Sequence, residues 1–308
     1  MPLVSVIIPT LNRPDFLRAA LQSVLGQTVG DFEILVVDDG STIDPRPVLA
    51  ALDDGRIRYF RHDSNRGEAA ARNTGIRNAR GTYVAFLDDD DEWLPDKLRL
   101  QLDLFGQSPD AVACVYGGHV ALQGLNGREL RRDVPTRRGG LFQELLERNV
   151  IGPPSTVMVR RQCLERVGLF DESIAFGVDY DMWIRIAREY RFEVVPGVVV
   201  VRYTIHPGQM SSDPFLITRG RADVKRKHGP WLRGGRAREA RFYLWLGYEM
   251  SLLGHMGEAR RAFLKALFFK PLQVRAGLYL VASLTGARNV ERLRRLVRAI
   301  LRVDPMEP

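Results

Sequence analysis

Four consecutive aspartates, Asp88 to Asp91, end the apolar run "TYVAFL". Neighbouring carboxylates repel one another and raise one another's pKa values, so such a run needs a partner. Hard divalent cations such as Mg²⁺ and Mn²⁺ prefer carboxylate oxygens, and Mg²⁺ grips a substrate phosphate while held by only one or two carboxylates. The other partner is a helix N-terminus near Pro95, whose dipole Asp91 and Glu92 would favour. That explains one or two acids, not four. In "VVDDGST", Asp38 and Asp39 precede a turn. Such an aspartate can accept from a nucleobase N–H or from ribose hydroxyls, or it can form the turn's own Asx hydrogen bonds. In "VDYDMWIR", Asp179 and Asp181 occupy a first helical turn. A carboxylate there stays ionised and suits a general base. The competing expectation is N-capping, with Trp183 and Ile186 packed in the core.

The elements that must position these acids follow a β-α rhythm. "LVSVIIP" (3–9), "FEILVVDDGST" (32–42), "IRYFRHD" and "TYVAFLDDDD" read as strands, the first two buried on both faces. Between them lie helical patterns: "RPDFLRAALQSVLGQ", the short "VLAALDD" and the Ala-rich 65–80. This predicts a parallel sheet covered by helices on both faces, an α/β doubly wound domain. Ligands of such sheets bind beyond the carboxyl ends of strands. Three of those ends carry unusual chemistry: Pro9-Thr10-Leu11-Asn12, Asp38 to Ser41, and Asp88 to Asp91. Further on, 99–150 reads as a helix, a strand and a basic loop (124–140) of low order. Residues 154–172 read as strand, helix and turn, 178–190 as a helix, and 192–203 as a strand pair or one bent strand. There is no GxxxxGK[ST], no GxGxxG after the first strand, no HExxH and no GxSxG.

The chain has 308 residues, 45% of them hydrophobic, enough for one large domain or a domain with an annex. Cys114 and Cys163 stand in no CxxC pair, which suggests a reducing compartment. No signal peptide is expected, and no run reaches the roughly 18 apolar residues of a membrane span. Residues 215–308 carry 20 Lys/Arg against 7 Asp/Glu, a net +13, which leaves −5 for residues 1–214. A basic region on an acidic body suggests an anionic partner. No recognised nucleic-acid module accompanies the charge and aromatic interleaving is sparse, which favours an anionic membrane surface over nucleic acid.

In order and spacing, these blocks resemble the inverting nucleotide-sugar glycosyltransferases of family 2, with the GT-A fold. The resemblance rests on "VSVIIPTLNRPDFLRAALQSVLGQT", "DFEILVVDDGST", "NRGEAAARNTGI", "GTYVAFLDDDDEWLPDKL", "PSTVMVRRQCLERVGLFDE" and "VDYDMWIRIA", and covers about residues 3–212. It implies a doubly wound mixed sheet over 1–214 and a helical region over 215–308. It implies that Pro9, Thr10 and Asn12 line the donor pocket, and that Asp39 contacts a uracil-like base. Arg72, in "ARN", would face the donor. Asp88 and Asp89 begin the family's D-x-D near ribose and metal, and Asp90 would be the main ligand of Mn²⁺ or Mg²⁺. His206, in "YTIHPGQMS", would face metal or pyrophosphate, unless it is a loop histidine of no special role. Asp179 takes the place of the catalytic base. The family often has Glu-Asp where this chain has Val178-Asp179, which leaves the base open between Asp179 and Asp181.

The resemblance further implies transfer from a UDP-sugar to a saccharide or lipid-linked acceptor in cell-surface polysaccharide synthesis. The location implied is cytoplasmic, peripheral on the inner face of the membrane. The alternatives are a nucleotide-sugar-binding protein without transfer, or a nucleotidyltransferase, for which "PTLNRPD" lacks the needed Gly-rich basic loop. In the basic region, Leu246, Gly247, Gly254, Ala259, Phe263, Ala266 and Pro271 resemble one tetratricopeptide-like hairpin, which cannot bury its own face. "ERLRRLVRAILRV" (291–303) reads as a basic amphipathic helix, suited to a membrane surface or to docking by its apolar stripe.

Overall fold

The computed structural model describes residues 1–124, 127–232 and 235–301. Val4–Thr10 (β1), Pro14–Leu25 (α1), Phe32–Asp38 (β2), Arg46–Leu52 (α2), Ile57–Arg61 (β3), Glu68–Asn78 (α3) and Tyr83–Phe86 (β4) alternate as the sequence predicts. Glu92–Trp93 (β5), Lys97–Gln107 (α4), Val112–Gln123 (β6), Glu129–Asp133 (β7) and Phe142–Leu145 (α5) come next. Val157–Arg160 (β8), Arg161–Val167 (α6), Val178–Glu189 (α7) and Arg191–Ile205 (β9) follow. Beyond them the chain is helical: Pro214–His228 (α8), Arg236–Leu252 (α9), Met256–Phe269 (α10), Val274–Leu284 (α11) and Ala287–Leu301 (α12). The chain divides into two compact units, Met1–Ser173 with Val178–Gln209, and Ile174–Gly177 with Met210–Pro308.

In the first unit, one sheet runs β3-β2-β1-β4-β8-β6-β9-β5, with β7 beside β6. β1 pairs in parallel with β2 and β4, and β2 with β3. β8 runs antiparallel to β4 and β6, so the sheet is mixed. Successive side chains of a strand point to opposite faces. Val4, Val6 and Ile8 accordingly join the core with Leu17, Ala20, Leu21 and Val24 of α1. Ile7 points the other way, onto α3, where a Cβ on Gly75 would lie 2.4 Å from its side chain. Only glycine permits that approach. Burial on both faces explains the continuous apolar runs.

One sequence expectation changes, and one open choice is resolved. Residues 124–140 are not simply a loop, because Glu129–Asp133 pairs antiparallel with β6. This strand is exposed and charged, so it lacks the apolar alternation that marks strands in sequence. Residues 192–203 belong to one bent strand, whose register against β6 slips between Val194 and Val199, around Pro196 and Gly197.

In the helical unit, α9 and α10 form the expected hairpin, turned at Gly254 with φ +79. A Cβ on Gly247 would lie 2.6 Å from the Phe263 ring, so the helices need glycine to close. Ala259, Phe263 and Ala266 share one buried cluster with Ala276 and Tyr279 of α11 and Val290 of α12. The following helices therefore cover the hairpin's face. Of the predicted amphipathic helix, Leu293 packs on this cluster, while residues 302–303 and the side chains of Val297, Ile300 and Leu301 lie outside the described residues. Among the described residues, no helix is long and apolar enough to cross a membrane.

Candidate active site

The parallel register sets Thr10 beside Asp38 at the carboxyl ends of β1 and β2. One strand over, β4 stops at Phe86 and the chain turns, with the Asp91 N–H donating to the Asp88 carbonyl at 3.0 Å. The four aspartates are held by different sets of partners, with Arg13 shared between Asp89 and Asp90. Asp88 Oδ1 accepts from Arg72 Nη2 at 2.6 Å. Asp89 Oδ2 accepts from Thr10 Oγ1 at 2.7 Å, and its Oδ1 from Arg13 Nη1 at 3.2 Å. Asp90 Oδ2 accepts from the same Arg13 nitrogen at 2.7 Å and meets His206 Nε2 at 2.9 Å. Asp91 Oδ2 accepts from Ser155 Oγ at 2.6 Å, and its Oδ1 from the Thr204 N–H at 3.0 Å.

Asp91 is therefore not a cap on the following helix, as one reading of the sequence had it. It is buried, and β5 separates it from α4, which starts only at Lys97. Its carboxyl is pushed well above the usual range, by burial first and then by the charges of Asp90 and Asp88. Burial, and then Asp90, also push Asp89 up to about 7, against the pull of Arg13 and the Thr10 hydroxyl.

Arg13 was missed in the sequence. Besides binding Asp89 and Asp90, it donates from Nη2 to the Gly208 carbonyl at 3.1 Å, tying the 206–209 loop to the cluster. The available signal was electroneutrality: four acids at a strand end call for cations, and Arg13 lies just past the end of β1. The His206 ring stacks on Phe16, with centroids 4.8 Å apart. Its Nδ1 accepts from the Gly208 N–H at 3.2 Å, which leaves the proton on Nε2, facing Asp90.

On the other side of Asp88, Arg72 is buried and also pairs with Glu68 at 3.0 Å. Burial alone would lower its pKa, but Glu68, Asp88 and Asp179 outweigh that and keep the guanidinium firmly charged. Asp179, at the start of α7, enters the same group of charges. It is partly open to solvent, yet withdrawal from water, followed by the Glu68 charge, pushes its carboxyl up to about 7 against the pull of Arg72. Asp181 faces elsewhere: it is buried and accepts from Arg185 Nε at 2.9 Å, and Arg185 also binds the carbonyls of Val167, Gly168 and Leu169. Trp183 and Ile186 are in the core.

At the end of β2, Asp39 is buried. Its Oδ1 meets His62 Nδ1 at 2.7 Å and the Arg66 N–H at 3.0 Å, and its Oδ2 accepts from the Gly67 N–H at 2.8 Å. Thr74 Oγ1 holds the far side of His62 at 2.8 Å. Gly40, at φ +83, lets this turn press on Ser64, where a Cβ would come within 2.6 Å of backbone. Asn12 Oδ1 accepts from the N–H groups of Thr42 and Ile43, which braces the end of β1 against this turn. Pro9 pairs with Val37 in the strands beneath.

Asp88, Asp90 and Asp91 each offer an oxygen within 4.8 Å of the others. Three hard oxygen donors whose crowding a positive ion would relieve make a fitting donor set for a divalent cation. Asp89 stands outside this triad. His206 Nε2, protonated against Asp90, would have to release its proton to coordinate.

A mixed doubly wound sheet with its acidic groups beyond the carboxyl strand ends defines an α/β domain of the GT-A type. The Staphylococcus aureus TarS 1–349 structure in complex with UDP-GlcNAc shares this fold, with a TM-score of 0.67 at 19% identity, covering 96% of this chain and 92% of that one. The sequence model described as glycosyl transferase family 2 matches residues 5–168, and the chain belongs to that family. A Rickettsia felis protein described as an uncharacterized glycosyltransferase is 40% identical over 188 residues, 60% of this chain. The match spans only 30% of that relative's length. The Escherichia coli UDP-Glc:alpha-D-GlcNAc-diphosphoundecaprenol beta-1,3-glucosyltransferase WfgD is 28% identical over 72% of this chain and 85% of its own.

Proposed function

We propose that residues 1–214 form a GT-A catalytic domain that transfers a sugar, with inversion, from a nucleoside-diphosphate sugar to a hydroxyl acceptor. The observation that carries this reading is the convergence of Asp179, poised at about 7, with Arg72, Asp88 and the neighbouring acid cluster. A base with a pKa near the working pH combines a large ionised fraction with real proton affinity. Asp179 takes the proton of the acceptor hydroxyl. The acceptor oxygen attacks the anomeric carbon from the face opposite the diphosphate, the carbon–oxygen bond to the diphosphate breaks, and its electron pair leaves with the nucleotide. Held by Asp88, Asp90 and Asp91, with His206 beside them, Mn²⁺ or Mg²⁺ would supply Lewis-acid stabilisation of the departing diphosphate, worth several kcal/mol.

Thr10 and Arg13 fix Asp89, Arg72 orients Asp88, and Pro9, Asn12 and the rigidly held Asp39 shape the nucleotide end of the site. UDP is the favoured nucleotide, in keeping with the TarS complex. A saccharide or lipid-linked acceptor of cell-surface polysaccharide synthesis follows from the likeness to WfgD. The location is cytoplasmic, with residues 215–308 as a basic region at the inner membrane face. The test is slow hydrolysis of a panel of nucleotide sugars. One UDP-sugar should be hydrolysed, EDTA should abolish this, and Mn²⁺ or Mg²⁺ should restore it. Full hydrolysis without metal would overturn the cation's role, and binding without turnover would overturn the enzyme.

A further inference from the structure

The helical unit leaves a continuous apolar stripe in water. Along α11, Val274, Leu278, Val281 and Leu284 recur at helical spacing and are 72%, 46%, 65% and 65% exposed. Leu272, in the preceding turn, is 89% exposed, and Phe268, near the end of α10, is 70% exposed. The opposite side of α11 is also occupied, since Ala276, Tyr279 and Ser283 are fully buried. Apart from Arg275 on its flank, α11 has apolar or small residues on both sides. Such a helix belongs in an apolar environment on both sides, and here the fold supplies one side only. With 11 residues, α11 is about 16 Å long, half the hydrocarbon thickness of a bilayer, so it cannot span. Exposed Arg261 and Lys265 lie on α10 and Lys270 just after it, the Lys265 ammonium 5.0 Å from the centre of the Tyr243 ring.

We propose that this α10–α11 face is a membrane-docking surface, with α11 lying in the plane of an anionic leaflet. The apolar side chains enter the boundary between headgroups and acyl chains, while Lys265 and Lys270 meet lipid phosphates. The net +13 of residues 215–308 selects this occupant, because two copies meeting here would repel, whereas an anionic lipid surface attracts. The inference deepens the membrane reading of this region and is independent of the transfer chemistry.

Sedimentation of the full-length protein with vesicles tests it, using equimolar phosphatidylglycerol and phosphatidylcholine against phosphatidylcholine alone. The wild type should bind the anionic vesicles and bind the neutral ones about tenfold more weakly or less. The Leu272→Glu/Val281→Glu double variant should lose about tenfold or more of the anionic binding, and Lys265→Glu/Lys270→Glu a similar amount. All four positions are exposed, so circular dichroism and donor hydrolysis in solution should be unchanged. Donor hydrolysis without vesicle binding would sink this proposal alone. Binding by Leu272→Glu/Val281→Glu equal to wild type overturns it. So does a wild type that ignores vesicles and forms a dimer which that variant dissociates.

Discussion

The sheet unit and the helical unit handle charge in opposite ways. The sheet unit draws it inside: Arg72, Asp89 and Asp91 are buried, each against defined partners a few ångströms away. The helical unit sets most of its arginines and lysines outside and leaves leucine, valine and phenylalanine in water. A buried charge costs several kcal/mol unless its partners are well placed. That cost is tolerable where a ligand of fixed shape, such as a diphosphate with its cation, must be gripped. Exposed cations around an apolar stripe define no fixed geometry, and they suit a partner that is itself a surface.

The largest expected effect tests the interior arrangement. Asp179→Asn should lower turnover by about 10²–10⁴ while donor affinity, measured by calorimetry, holds. In the wild type, kcat/KM should rise with pH through about 7 as Asp179 loses its proton, and the variant should lose that limb. The stability sign is opposite. The folded carboxyl, at about 7, lies above its ordinary 3.8, so the native state holds a proton that the unfolded chain releases. This contribution is fully present below about pH 4 and is lost as pH rises to about 7. Turnover in Asp179→Asn that keeps the wild-type pH profile would remove Asp179 from the mechanism.

Next in size is Arg72→Met, which leaves Glu68, Asp88 and Asp179 without their shared cation. Urea unfolding should show a loss of about 3–5 kcal/mol, and the acid limb should move above 7. A variant as stable as wild type would mean that the interior charges do not depend on this pairing. Smallest is Gly247→Ala, whose methyl meets the Phe263 ring and should cost about 1–3 kcal/mol. The loss should fall on the helical unit's melting transition, with donor hydrolysis retained. An equal shift in the sheet unit would blur the contrast between the two.

What was legible in the sequence was local. The β-α rhythm, the acids at three strand ends and the α9–α10 hairpin all rest on signals within a few residues of one another. The choice between Asp179 and Asp181 was not legible, since both sit in one helical turn. In space their surroundings differ: Arg185 claims Asp181, while Asp179 joins the charges of Glu68 and Arg72. The partners of Asp91 lie 64 and 113 residues away, beyond the reach of any pattern. The role of α11 was hidden for another reason: an apolar run shows that a helix has apolar faces, not which face the fold leaves uncovered.

Those long separations at Asp91 have a consequence for how the protein comes into being. Ser155 precedes β8, and Thr204 lies near the end of β9, the last strand of the sheet. Closing such distant contacts costs chain entropy before any contact can form, which makes them late events in folding. A growing chain can pair β1 to β4 early and hold Asp88 and Asp89 on Arg72, Thr10 and Arg13, yet Asp91 lacks Thr204 and Asp90 lacks His206 until β9 arrives. The acid cluster is thus completed late, and a chain cut short before β9 carries it without the contacts that tie Asp90 and Asp91 to the far side of the sheet.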